Sequence, residues 1–254
     1  MKNYKLQNMG KSSKNKNKFK SIIFSIVLFS VGFSLSCAKK GEGNEKTTEL
    51  KTTIPTEISD LESAAEDAYE EALKNNISDV KVKSSLMNTI WQSYRSKAAN
   101  DGASAPNLNA VDLAINNFVV LMESSSDSNE VARAANAVSA TMDELFALYD
   151  SPVPSNVLVL DYLGREVALD ARQNDFVAAK SHIDTYAATF AIIRSEILAA
   201  KGSKEVADFE ANVVYMLANV TAQDNLNLEI NANLGLEIVD NIETVFANSV
   251  EVAD

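Results

Sequence analysis

The sequence predicts an all-α protein in which eight antiparallel helices form four hairpins. Three observations lead to this fold class: apolar residues recur at helical intervals, glycine and proline are scarce, and short polar turns divide the chain at regular distances. The residues between the turns are rich in Ala, Leu, Glu and Lys, which are good helix formers. No stretch of the sequence shows the sustained apolar–polar alternation that is typical of strands.

Two interleaved series of turns divide residues 56–254 into eight segments of roughly 20–25 residues each. One series contains glycine or proline and consists of Pro55, Gly102 with Pro106, Pro152 with Pro154, and Gly202. The other contains an aspartate at intervals of 48, 48 and 49 residues, namely Asp79, Asp127, Asp175 and Asp224. Polar residues before an apolar-periodic run are N-cap signals. Two pairs also resemble a capping box, Asp127 with Glu130 and Ser59 with Glu62.

Three of the segments show the helical period clearly, and each apolar stripe is expected to face the core. The second segment carries Val82, Leu86, Ile90, Trp91 and Tyr94. The sixth carries Phe176, Ala179, Ile183, Tyr186, Phe190, Ile193 and Ile197. The last carries a stripe at steps of four, four, four and three, formed by Ile230, Leu234, Ile238, Ile242 and Val245.

The spacing leaves the arrangement of the four hairpins open. The fifteenth residue after each turn aspartate is always apolar: Tyr94, Met142, Phe190 and Val239. Either the hairpins are true repeats, or eight similar helices on short turns produce a false period. Stacked hairpins would form a short α-solenoid, and paired hairpins would form two four-helix bundles. Bundles are favoured, because the period is longer than the ~34 residues of a tetratricopeptide repeat and lacks its aromatic and proline pattern.

The N-terminus predicts export. Residues 1–36 contain seven lysines and no acidic residue, and they end in a short apolar run, which is the pattern of a secretory signal peptide. Cys37, the only cysteine, follows directly. The stretch Ser34-Leu35-Ser36-Cys37 resembles the lipobox of bacterial lipoproteins, although Ser34 replaces the usual leucine. This resemblance implies that Cys37 is the mature N-terminus and carries acyl chains such as palmitate. The alternative is an unmodified cysteine in an uncleaved signal anchor.

Residues 37–55 are polar and lack an apolar period, so they are interpreted as a lipidated cysteine with a flexible tether before a helical domain at 56–254. Removal of residues 1–36 leaves 16 basic and 35 acidic residues, a net charge of −19. Such a surface repels nucleic acid, and a nucleic-acid partner is therefore excluded.

The densest group of unusual residues follows two prolines, in the stretch Asp161-Tyr162-Leu163-Gly164-Arg165-Glu166. Gly164 is expected to allow close approach of a neighbouring helix. Tyr162, Arg165 and Glu166 would form either a structural polar network or part of a ligand pocket. The segment Ile238–Phe246 is similar to the C-terminal part of uncharacterised helical bacterial lipoproteins, and this resemblance implies no particular activity.

The composition argues against a metal or cofactor. His182 is the only histidine and lacks a second histidine or free thiol to join it, so zinc, haem and copper sites are not expected. Glu237, Asp240 and Glu243 recur every three residues and are weak candidates for a hard cation. The alternative is a solvated acidic face, which a chain of this charge must have in any case.

These observations predict a non-catalytic lipoprotein of the bacterial envelope, attached to a membrane through Cys37. Its helical faces are expected to bind a protein partner. The alternative function is a solute- or cation-binding component of a transport system, which the carboxylate clusters suggest. An enzyme is not expected, because the paired carboxylates follow from the composition alone.

Overall fold

The computed structural model describes residues 54–125 and 127–251. The helices in these ranges are α1 (Thr56–Leu73), α2 (Ile77–Asp101), α3 (Ala105–Ser124), α4 (Ser128–Ser139), α5 (Asp143–Phe146), α6 (Asn156–Gln173), α7 (Phe176–Ala199), α8 (Ser203–Ala222) and α9 (Asn225–Glu251). Eight of these helices are long, and α5 is a single turn. The all-α prediction is confirmed. Cys37 and the rest of residues 1–53 lie outside the described residues.

The long helices form two four-helix bundles. In each bundle consecutive helices pack together and the first helix also packs against the last, so that α1 contacts α4 and α6 contacts α9. Each bundle has its own apolar core. The two bundles meet mainly where α4 packs against α6. The ring of contacts in each half identifies bundles rather than a solenoid.

Three of the four turn aspartates cap helices as predicted. The carboxylates of Asp127, Asp175 and Asp224 accept hydrogen bonds from backbone N–H groups at 2.8, 3.0 and 3.1 Å. Asp79 instead lies inside the first turn of α2, where Asn76 is the N-cap residue. Both capping boxes are wrong: Ser59 is already inside α1, and Glu130 accepts a hydrogen bond from the Ser125 hydroxyl at 2.7 Å.

The fourth predicted segment is interrupted. Helix α4 ends at Ser139, and α5 begins at Asp143 after a turn. The Thr141 hydroxyl donates a hydrogen bond to the carbonyl of Val138 at 2.7 Å, which competes with continuation of the helix. Met142 and Leu145 both remain fully buried beyond this turn. The spacing of buried residues is therefore kept although the helix is not continuous.

Two apolar stripes are only partly buried. In α9, Ile238 and Ile242 are in the core, but Ile230 and Leu234 are 54% and 44% exposed. Steps of four residues advance about 40° beyond a full turn, so a stripe of four such steps drifts around the helix. The buried face of α9 instead follows Leu228, Ala232, Val239, Ile242 and Phe246. Val82 and Leu86 of α2 are exposed in the same way.

Gly164 has the role that the sequence predicts. A Cβ atom at this position would lie 2.6 Å from Cδ2 of Leu236 in α9. The missing side chain therefore lets α6 and α9 approach closely, at the centre of the second bundle.

Candidate functional site

Helix α6 positions the polar side chains at the junction of the two bundles. Twelve of its 18 residues are buried, including Asp161, Arg165, Glu166 and Asp170. The helix is covered on several sides because it packs within the second bundle and against α4 of the first. Successive residues of a helix point about 100° apart, so neighbouring polar residues on α6 reach different partners. Two separate polar groups result.

The first group joins α6 to α4. The Arg133 guanidinium donates to carboxylate oxygens of both Glu166 and Asp170, and the Asp170 contact is 2.7 Å long. The side-chain amide of Asn136 donates to Glu166 at 2.8 Å and to the Tyr162 carbonyl at 3.1 Å. Burial raises the pKa of Glu166, and the Arg133 charge opposes that rise. This group connects the bundles through well-paired contacts.

His182 of α7 joins this first group, which the sequence did not indicate. Its Nδ1 lies 2.6 Å from Oδ2 of Asp170. Burial disfavours the imidazolium, but the hydrogen bond with Asp170 and the Asp170 charge outweigh burial and raise the pKa of His182. The ligand atoms of Glu166, Asp170 and His182 all lie within 4.8 Å of one another, a spacing that could hold a metal ion. The Arg133 guanidinium already bridges the two carboxylates, so we interpret the trio as structural.

The second group surrounds Arg165, which faces α1 and α9. Its guanidinium pairs with Glu66 and lies 5.9 Å from the ring centre of Tyr69. Glu62 and Asp161 are also close enough to raise the pKa of Arg165 against the effect of burial. Tyr162 and Glu166 face α4 instead. The sequence analysis grouped Tyr162, Arg165 and Glu166, but in the structure Arg165 belongs to a different polar group from the other two.

Several buried polar atoms near Arg165 have no hydrogen-bond partner among the described residues. By distance and angle these atoms are both carboxylate oxygens of Glu62, the Ser139 hydroxyl and Nη1 of Arg165, although Ser139 lies close enough to Glu62 for its hydroxyl to lower the Glu62 pKa. The Glu62 side chain is only 6% exposed. Burying a polar group without a partner is costly. The second group therefore has more unpaired polar atoms than the first, in which Oδ1 of Asn136 is the buried atom without a partner.

The carboxylates of the second group hold their protons unusually tightly. Burial, together with the nearby Glu66 charge, raises the pKa of Glu62 to about 8. Burial and the charge of Asp240 raise the pKa of Glu243 to about 6. Burial also raises the pKa of Asp161 well above its ordinary value, although Arg165 opposes this rise. A single guanidinium does not neutralise this many carboxylates.

An open cleft of about 520 Å³ lies beside this group, between α1, α6 and α9. The residues that line it are Glu66, Tyr69, Asp161, Arg165, Asn233 and Asp240, with Leu73 and Leu236 as apolar neighbours and Glu70 and Lys74 also on the lining. Asp161 is 5% exposed and forms no hydrogen bond or ion pair within the described part of the chain. We call this site the acidic cleft.

The three weak candidates for cation binding on α9, Glu237, Asp240 and Glu243, do not lie in one site. Asp240 lines the acidic cleft, and burial raises its pKa. Glu243 lies near Glu66 and Arg165, whose charges act on it. Glu237 is exposed and does not line the cleft.

Sequence reasoning missed Glu62, Glu66 and Asp161, although a signal for two of them exists. Glu62 lies on the apolar face of α1, because Ile58 precedes it by four residues and Ala65 follows it by three. Asp161 has the same position on α6, between Val157 and Gly164. An acidic residue in register with a buried stripe indicates a buried charge.

No protein-family model, no curated protein and no solved structure matches this chain. None of the helices within the described ranges combines the length and apolarity needed to cross a membrane.

Proposed function

We propose that this protein is a binding protein of the bacterial envelope that takes a small cationic solute in the acidic cleft. One observation carries the proposal: Asp161 is buried, faces the cleft and has no hydrogen bond or ion pair among the described residues. Glu66, Glu70 and Asp240 add three more carboxylates to the lining, against the guanidinium of Arg165 and the ammonium of Lys74, which is paired with Glu70 at 3.1 Å. This is the alternative function that the carboxylates of the sequence suggested.

The energetics favour a cationic ligand over an anionic or neutral one. A carboxylate that is removed from water either takes up a proton or requires an opposite charge nearby. A bound cation supplies that charge, so binding stabilises the ionised forms of the cleft carboxylates. A volume of about 520 Å³ is within the range of small-molecule sites.

Binding rather than catalysis is proposed because of the groups that line the cleft. The described lining residues supply carboxylates, a guanidinium, an amide, a phenol and the Lys74 ammonium, which is paired with Glu70 and Glu71, and they include no serine, cysteine or histidine. A nucleophile paired with a base is the usual requirement for covalent catalysis. The lining suits recognition of charge.

Calorimetry with the full chain tests the proposed function. The panel consists of calcium, magnesium, lysine, butylamine and putrescine. Binding is measured near pH 8, the pKa of Glu62, where about half of this carboxyl group is ionised. At least one cation should bind saturably, and Asp240→Asn should weaken it about tenfold, the effect of losing one charge-assisted hydrogen bond. Glu237→Gln is the matched control on the same helix and should bind like the wild type. Absence of saturable binding across the panel would overturn the proposal.

Attachment to a membrane through lipidated Cys37 is the second part of the proposal. It rests on the sequence, because Cys37 lies outside the described residues. Mass spectrometry of the N-terminal peptide, after expression in a bacterial host, should find an acylated Cys37, and Cys37→Ser should leave the protein without the modification and unattached to membranes. A free Cys37 thiol in the membrane-bound protein would contradict the anchor.

A role as a protein-interaction module stays a prediction. Its candidate surface is the exposed apolar stripe of α9, where Leu226, Ile230 and Leu234 are spaced one turn apart. Exposed apolar residues of this kind are common at binding surfaces, but the cleft provides the more specific chemistry.

A further inference from the structure

We infer that the acidic cleft binds an organic cation with two or more separated amino groups, a linear diamine or oligoamine, rather than a metal ion. This inference rests on the proposed function and names the ligand class. The cleft carboxylates come from separate helices and lie at different depths, and apolar residues share the lining with them.

The carboxylates of the cleft are not arranged for a metal ion. Glu66, Asp161 and Asp240 come from three different helices, α1, α6 and α9. A hard cation such as Ca²⁺ needs several oxygens at 2.3–2.6 Å, which places those oxygens close to one another. Within the described residues, the group whose ligand atoms converge within 4.8 Å is Glu166, Asp170 and His182, on the other side of α6. The cleft carboxylates form no such group, so they suit separate charges better than one ion.

Two of the four lining carboxylates, Asp161 and Asp240, are paired with neither Arg165 nor Lys74, and they lie at different depths. Asp161 is almost completely buried, whereas Asp240 is exposed. Glu66 is the ion-pair partner of Arg165, and Glu70 is that of Lys74. A ligand that satisfies both Asp161 and Asp240 must therefore carry positive charge at two points, one at the floor of the cleft and one near its opening.

The remaining lining offers apolar surface to an alkyl chain. Leu73, Leu236 and the ring of Tyr69 line the same cleft as the carboxylates. Methylene groups are stabilised when they are buried against such surfaces. A linear diamine combines this apolar contact with an ammonium group at either end.

A zwitterion such as an amino acid is disfavoured. Its carboxylate would need a free donor, but Nη1 of Arg165 is buried away from solvent and the Lys74 ammonium is already paired with Glu70 and Glu71. The carboxylates around it would repel a second anion. A ligand with positive charges alone avoids this repulsion.

Calorimetric titration of the full chain with putrescine and with butylamine, which share a four-carbon chain, tests the inference. Putrescine should bind about tenfold or more tightly than butylamine, because its second ammonium gains a charge-assisted hydrogen bond. Asp161→Asn and Asp240→Asn should each lower the affinity for putrescine to the level of butylamine. Glu237→Gln, on the exposed face of α9, should leave both affinities unchanged. Circular dichroism checks that each variant is folded.

Calcium, magnesium and lysine complete the series. If calcium or magnesium binds more tightly than putrescine, or if butylamine equals putrescine, the inferred ligand class is wrong while the cationic site stands. If lysine binds more tightly than putrescine, the argument against zwitterions fails. If none of these ligands binds, the proposed function fails together with the inference.

Discussion

Glu62→Gln is expected to remove much of the pH dependence of the protein's stability between about pH 4.5 and pH 8. Burial raises the pKa of Glu62 from 4.5 to about 8 in the folded protein. The folded state therefore holds this proton more tightly than the unfolded state. The resulting stabilisation is fully present below about pH 4.5 and is lost as the pH rises through about 8. The free energy of unfolding should fall by an amount on the order of 5 kcal/mol over this window.

Urea denaturation at several pH values measures this effect. In Glu62→Gln the side chain stays neutral at every pH, so the variant should be more stable than the wild type at about pH 9 and nearly equal to it at about pH 5. Part of the slope remains in the variant, because the raised pKa values of Asp161 and Glu243 act in the same direction. Glu237→Gln is the control and should keep the wild-type slope. Equal slopes in wild type and Glu62→Gln would contradict the buried position of Glu62.

Arg165→Met is expected to be the most destabilising single substitution at the junction of the bundles. The guanidinium is the positive charge nearest to Glu62, Glu66 and Asp161. Methionine keeps most of the side-chain volume but leaves these carboxylates without an opposite charge. Loss of one partner of a buried ion pair typically costs about 3–5 kcal/mol. The loss should be smaller at about pH 5, where the carboxylates with raised pKa values are protonated.

Arg194→Met provides the comparison for this variant. Arg194 pairs with Glu210 at 2.7 Å, and both side chains are about half exposed. Exposed pairs contribute about 1 kcal/mol or less. If Arg165→Met and Arg194→Met differ by less than about 1 kcal/mol near pH 8, the electrostatic account of the junction is wrong.

The sequence predicted the helices better than it predicted their packing. Local signals set the helix ends, because Asp127, Asp175 and Asp224 bond to backbone N–H groups of their own helices. The burial of Tyr94, Met142, Phe190 and Val239 at matching positions followed from periodicity alone. The partly exposed stripe of α9 was misjudged because steps of four residues drift around a helix.

The acidic cleft depends on tertiary packing and could be predicted only in part. Asp240 and Arg165 were singled out, but no pattern in the sequence brings α9 and α6 next to α1. The division of Arg165 from Glu166 arises because α6 contacts both bundles, so adjacent residues face different neighbours. Glu62 was interpreted as part of a capping box, whereas its register with Ile58 and Ala65 indicates burial.

The most direct test of cation binding in the acidic cleft is the titration of the full chain with putrescine near pH 8. The titration is carried out in two buffers that differ in ionisation enthalpy. We predict saturable binding with release of protons, because the bound cation favours the ionised form of Asp161, whose pKa is raised by burial. Asp161→Asn should weaken the binding and reduce the number of protons released. Proton uptake on binding, or binding that is unchanged in Asp161→Asn, would contradict the account.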